Sequence, residues 1–159
     1  MAEIALRPVV DDDLDTLFRM MQDPESVRMA AFTPEDPTDR ERFDAQMARI
    51  RTNPTGTYRV ITYDGAIAGS IASWVMEGDT ELTYWIDRAL WGRGIASRAL
   101  TLFLQHVLTE RPVHARAASD NTGSLQVLRK AGFQPQGTDI GYANARATEI
   151  EETILRLDA

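Results

Sequence analysis

The chain has 159 residues, a formal net charge of −7 and a pI near 4.8, so it lacks the basic balance with which nucleic-acid binders neutralise phosphates. It contains no cysteine, which excludes disulfide scaffolds, thiolate zinc sites and covalent catalysis through a thiol. With 43% hydrophobic and 26% charged residues, one globular domain over residues 1–159 is expected. It is expected in the cytoplasm and off the membrane, because the sequence shows no basic-then-apolar leader and no apolar run of about 18 residues.

Ile4, Ala5, Leu6 and Arg7 form a short predicted strand ended by Pro8. Asp11-Asp12-Asp13 then supplies an acidic first turn ahead of Leu14, Leu17, Phe18 and Met21, whose spacing predicts a helix. A second helical stretch covers residues 24–30, and residues 32–39 read as a loop. Thr38 or Asp39 caps a third helix carrying Phe43, Met47 and Ile50, which stops before Asn53-Pro54-Thr55-Gly56.

Residues 57–63 and 66–76 are β-rich runs joined by Asp64-Gly65, a strong hairpin signal. Glu77-Gly78-Asp79 turns the chain into a third run over 80–87, which predicts a three-stranded antiparallel meander. A long apolar helix follows Gly94 and is expected to end near Arg111-Pro112. Residues 113–118 read as a strand, and Asn121 caps a short helix with Leu125, Leu128 and Ala131 inward. Gly132 stands where a left-handed C-terminal cap belongs, and residues 133–140 and 147–157 are the final strands. This order defines an α+β protein, a mixed sheet with helices on its faces.

The stretch Trp91-Gly92-Arg93-Gly94-Ile95-Ala96 joins the third meander strand to the apolar helix. Paired glycines before a helix start let a ligand approach the main chain, where free N–H groups and the helix dipole favour a phosphate. The turn is not a Walker loop, since no Lys-Ser or Lys-Thr follows Gly94, and Ser97 replaces the third small residue of a dinucleotide fingerprint. By itself the turn fits either a phosphate cradle or a plain strand-to-helix connection.

Tyr84-Trp85-Ile86-Asp87, the glycine turn, Asp120-Asn121-x-x-Ser124 and Leu128-Arg129-Lys130-Ala131-Gly132-Phe133 together resemble the GNAT N-acetyltransferases. Within that superfamily the pattern is similar to the branch of ribosomal-protein alanine N-acetyltransferases, with Leu6-Arg7-Pro8 and Tyr63-Asp64-Gly65 also fitting. The resemblance implies a mixed, mainly antiparallel sheet of about seven strands flanked by helices on both faces. It implies acetyl-CoA as acetyl donor, with no metal, and transfer to a primary amine in a ternary complex. By analogy the assembly is a homodimer.

The same likeness assigns residues. Trp91, Gly92, Arg93, Gly94, Ile95, Ala96 and Ser97 would bind the pyrophosphate, and Trp85 and Ile86 would pair with the pantetheine amides. Asn121 would contact the pantetheine arm or simply cap its helix. Arg93 would reach a phosphate and Lys130 the adenine or 3′-phosphate end of the coenzyme, the alternative for each being a solvated side chain. Glu81 matches the glutamate that serves as general base, with Glu77 and Asp79 as fallbacks and a plain strand carboxylate as the alternative. Alternation places Glu81 on one sheet face with Thr83 and Trp85.

Many family members place a tyrosine seven residues after the asparagine to protonate the leaving thiolate, and here that residue is Leu128. Ser124 is the candidate for the role, with Tyr142 and water as rivals. The missing tyrosine also admits a non-catalytic acyl-CoA-binding module. His106 and His114 have no metal-ligand spacing, and Tyr84, Trp85 and Trp91 read most simply as core or channel packing. Residues 29–37 and 141–146 are expected to form the acceptor pocket, where Glu35 and Asp36 would suit a cationic amine.

Overall fold

A computed structural model describes residues 3–159. Strand β1 (Ile4–Pro8) leads through a 3-10 turn over Asp11–Asp13 into helices α1 (Leu14–Met20), α2 (Pro24–Ala30) and α3 (Arg40–Thr52). Then come β2 (Thr57–Tyr63), β3 (Ala66–Met76), β4 (Asp79–Ile86), a 3-10 turn over Arg88–Leu90, and α4 (Ile95–His106). The chain ends with β5 (Val113–Ala118), α5 (Thr122–Lys130), β6 (Gln134–Ala143) and β7 (Thr148–Leu157). The seven strands form one sheet in the order β1-β2-β3-β4-β5-β7-β6, antiparallel throughout except for the parallel pair β4–β5.

Local chemistry accounts for most boundaries. Asp64 and Gly65 both have positive φ, as do Glu77 and Gly78, the backbone that a two-residue hairpin turn demands. The Asp23, Asp39 and Asn121 side chains accept from the N–H groups of Ser26, Arg42 and Ser124, capping α2, α3 and α5. Asp39 rather than Thr38 is thus the cap of α3.

Two boundaries depart clearly from the sequence expectation: β6 runs on to Ala143 instead of ending near residue 140, in register with β7 as far as Thr148, and α4 is short. Helix α4 stops at His106, short of Arg111, although Val107 and Leu108 continue its apolar run. The Arg111 guanidinium donates to the carbonyls of Leu104 and Leu108, satisfying acceptors at the helix end, and Pro112 has no N–H with which to continue the helix. Apolar periodicity carried no trace of that side-chain cap.

The sheet separates two cores. On one face α4 and α5 bury Ile95, Ala99, Leu100, Phe103 and Leu128 against Ile61, Ile71, Leu82, Val113 and Leu155. On the other, Leu17 of α1 with Phe43 and Met47 of α3 covers Val60. Full burial of each large side chain contributes about 1.5–3 kcal/mol, so both layers are held firmly.

The acidic turn before α1 is part of this frame. Asp13 is buried, accepts two hydrogen bonds from Arg7 at 2.8 Å each, and accepts the Val10 N–H at 2.8 Å. These donors, the Arg7 pair foremost, hold its carboxyl below the usual carboxylate range. A carboxylate with a lowered native pKa stabilises the fold above the unfolded value and loses that contribution as pH falls through the native one. Asp13→Ala is therefore expected to cost about 2–3 kcal/mol at pH 7, with the difference shrinking in acid, as urea melts at pH 7 and pH 3 will show.

Candidate active site

The site begins where two strands part. β4 and β5 run side by side only at Glu81–His114 and Leu82–Ala115. Beyond Leu82 no ladder joins them, so the β4 edge from Thr83 to Ile86 faces an open slot instead of a neighbouring strand. Main-chain N–H and C=O groups on such an edge need partners, and an extended ligand bearing amides supplies them. At Ile86, however, the carbonyl already accepts from the Trp91 indole at 3.0 Å.

At the outer end of the slot lies the glycine turn. Gly92 and Gly94 adopt φ of 81° and 74°, left-handed backbone that an L side chain rarely takes. Gly94 then serves as N-cap of α4 without any side-chain cap, unlike α2, α3 and α5. The first backbone bond there runs from the Arg98 N–H to the Gly94 carbonyl at 3.1 Å, leaving the N–H groups of Ile95, Ala96 and Ser97 free at the helix start. No acidic residue occupies this first turn, and α4 is 12 residues long. Uncapped N–H groups, a positive dipole end and two glycines suit this turn to an anionic group.

The other predicted coenzyme residues are placed differently from one another. Trp91 is 44% exposed, and its indole ties the turn back to the end of β4. Arg93 and Lys130 are exposed, with no side-chain partner among the described residues. Trp85 sends its indole N–H to the Met20 carbonyl of α1, on the face away from α4. Asn121 uses Oδ1 on the Ser124 N–H and Nδ2 on the Met29 carbonyl at 3.3 Å, tying α5 to α2. Among the described residues there is no group of three metal-ligating side chains, and no helix is long and apolar enough to cross a membrane.

Glu81 sits at the vertex where β4 and β5 diverge. It is 8% exposed, and its Oε2 is buried without a hydrogen-bond partner. Burial raises its pKa, opposed by Arg116, whose Nε lies 3.6 Å from Oε1, and by His114 beside it. Arg116 is shared with Glu152 at 3.1 Å and Asp139 at 3.7 Å, so its charge is divided among three carboxylates. A carboxylate made more basic by burial, with one oxygen free, is suited to accepting a proton. Glu77, on the β3–β4 turn, and Asp79, at the start of β4, are by contrast exposed.

Ser124 stands in the first turn of α5 on the opposite face. Its Oγ lies 2.8 Å from the Tyr84 hydroxyl, which burial holds above the usual tyrosine range. Leu128 is 1% exposed in the core, so no hydroxyl takes its place. Tyr142 is 60% exposed on β6. Nothing in the sequence marks Tyr84 as more than core or channel packing or sets His114 beside Glu81. The available clue was that a buried tyrosine needs a partner for its hydroxyl.

The two segments expected to flank the acceptor are stitched together. Ala145 N–H bonds the Ala31 carbonyl at 3.2 Å, Asn144 Nδ2 bonds the Thr33 carbonyl at 2.7 Å, and Arg146 bonds the Arg28 carbonyl while pairing with Asp120. Ala31 is fully buried with φ 65° and ψ −57°, and the Phe32 N–H reaches back to the Ala30 carbonyl at 2.7 Å. Such a three-residue turn is strained for a residue with a Cβ and persists because its surroundings enforce it.

The GNAT acetyltransferase domain pattern matches residues 3–134. The chain belongs to the GNAT acetyltransferase family. It is 24% identical over 157 residues to the uncharacterized N-acetyltransferase p20 of Bacillus licheniformis, covering 93% of this chain and 88% of that one. Its fold is similar to RimJ of Mycobacterium smegmatis in complex with CoA-disulfide, with a TM-score of 0.81, 22% identity, and coverage of 98% and 82%. Spermidine N-acetyltransferase from Vibrio cholerae, in complex with CoA and spermine, matches with a TM-score of 0.79, 13% identity, and coverage of 96% and 95%. The seven-stranded, mainly antiparallel sheet with helices on both faces is the architecture the resemblance implied.

Proposed function

We infer that this chain transfers the acetyl group of acetyl-CoA to a primary amine, a peptide or protein N-terminus or a small amine, by direct attack within a ternary complex. One observation carries the reading: β4 parts from β5 just after Glu81, and the chain runs from the end of that unpaired β4 edge into the uncapped start of α4. Family membership supplies the acetyl donor, and the slot fits it. Residues 92–97 offer main-chain N–H groups to the pyrophosphate, and the β4 edge offers amide partners to the pantetheine arm.

An amine must be neutral to attack. A lysine-like amine has a pKa near ~10.4 and an α-amine near ~8, so either gains from a base at neutral pH. Glu81 receives the proton, directly or through water, with its free Oε2 as acceptor. Ser124, across the slot, donates toward the departing sulfur. The stitched segments 29–37 and 141–146 border the acceptor, and the exposed carboxylates Glu35 and Asp36 favour a cationic one.

Binding is tested by melting the protein with saturating acetyl-CoA. A ligand present at about 100 times its Kd stabilises by about 2.7 kcal/mol, so a rise of about 5 °C or more is expected. An unchanged melting temperature in a folded sample would remove the coenzyme from this site.

A further inference from the structure

A departing thiolate needs a proton, and the helix position that often supplies a tyrosine holds Leu128, sealed in the core. A tyrosine is nevertheless present from another direction. Tyr84 enters from β4, and its hydroxyl lies 2.8 Å from Ser124 Oγ, forty residues away on α5. The pair bridges the two elements on the α5 side of the slot. Neither hydroxyl has a second side-chain partner among the described residues, so the Ser124 proton is available to a third atom.

Serine alone is a poor acid, because losing its proton would leave an alkoxide. A phenol is a better acid than an aliphatic hydroxyl even when burial raises it, because its conjugate charge spreads over the ring. We propose that Tyr84 is the positioning residue of this acid and relays its proton through Ser124 to the coenzyme sulfur. The inference rests on the acetyl-CoA reading above.

As the carbon–sulfur bond breaks, its electron pair goes to sulfur. Sulfur takes the Ser124 Oγ proton, Ser124 Oγ takes the Tyr84 proton, and Tyr84 is left as phenolate until water reprotonates it. The proton lost by the amine goes to Glu81 and then to solvent, so charge and protons balance over the cycle. Tyr84 packs against the core cluster that includes Ile95 and Leu128, and burial and the Ser124 hydrogen bond are what act on its hydroxyl. Burial keeps the phenol protonated at neutral pH, which leaves it ready to donate.

The test needs no acceptor. A donor aimed at the sulfur favours bound CoA as thiolate, so the affinity for CoA relative to desulfo-CoA should climb with pH. Calorimetric titration between pH 7 and pH 10 is expected to show that ratio rising by about tenfold in the wild type, the equivalent of one pKa unit. The rise should vanish in Ser124→Ala and fall to about threefold or less in Tyr84→Phe, which keeps the ring and its packing. Desulfo-CoA affinity should stay within about twofold in all three proteins, since the pyrophosphate cradle is untouched. A full wild-type rise in Tyr84→Phe overturns the relay, as does a flat ratio in the wild type. Failure of both ligands to bind instead overturns the coenzyme site itself.

Discussion

A Ser97→Asp variant is expected to hold its fold and lose its coenzyme. Ser97 is the third residue of α4, whose free N–H groups and positive dipole end are the proposed pyrophosphate cradle. A carboxylate in that first turn is favourable for the isolated helix by about 0.3–1 kcal/mol, so the melting temperature should stay level or rise by about 1–3 °C. The same charge occupies the dipole and repels a pyrophosphate. Affinity for CoA is expected to fall by about 100-fold, equivalent to about 2.7 kcal/mol. Ser97→Asn, similar in shape and neutral, should stay within about tenfold of wild type. A loss of affinity equal in both variants would mean that space, not charge, governs the turn, and unchanged affinity in Ser97→Asp would place the phosphates elsewhere.

The second large effect concerns Glu81, and again function and stability are expected to diverge. Glu81→Gln keeps the volume of the side chain but cannot accept a proton at physiological pH. Turnover on an accepted amine should fall by about 100-fold at saturating acetyl-CoA, with acetyl-CoA affinity within about twofold. Burial raises the native pKa of Glu81. A carboxyl whose native pKa exceeds its unfolded value favours folding below the unfolded value, and that contribution is lost as pH rises through the native one. Ionised Glu81 thus burdens the fold at pH 8 but not at pH 4. Relative to wild type, Glu81→Gln should melt at an equal or higher temperature at pH 8 and show no advantage at pH 4. Arg116 retains Glu152 and Asp139 in the variant, so no unpaired cation is left behind. Full turnover in Glu81→Gln would acquit the residue as base.

These contrasts follow from what was and was not legible in the chain. Elements announced by short-range chemistry were readable: the positive-φ turns at Asp64-Gly65 and Glu77-Gly78, the caps Asp39 and Asn121, and the glycine turn ahead of α4. Each depends on residues only a few positions apart. Alternation along β4 likewise separates Glu81 and Trp85 from Leu82 and Ile86, which pack against α4.

What the sequence hid is mostly long-range. The divergence of β4 from β5 after a two-residue ladder makes the slot, yet both strands read as ordinary β runs. The Asn121 bond to Met29 joins residues far apart along the chain, and the Arg7–Asp13 pair and the Arg111 cap on α4 join nearer side chains that no periodicity pairs. The hydroxyl pair Tyr84–Ser124 is the functional case of the same limit. A tyrosine absent from its usual helix suggested loss of the acid, while a strand tyrosine forty residues earlier stands against the serine. Buried polar groups must find partners, but periodicity does not say which.

Whether the chain joins an acetyl donor to an amine is decided by incubating the protein with acetyl-CoA and a panel of N-terminal peptides, free amino acids, aminoglycosides and polyamines. Mass spectrometry should find at least one amine acetylated, with one CoA released per acetyl transferred and both products absent in Glu81→Gln. Tight acetyl-CoA binding with neither acetylated amine nor released CoA across every class would contradict acetyl transfer and leave a coenzyme-binding module without catalysis.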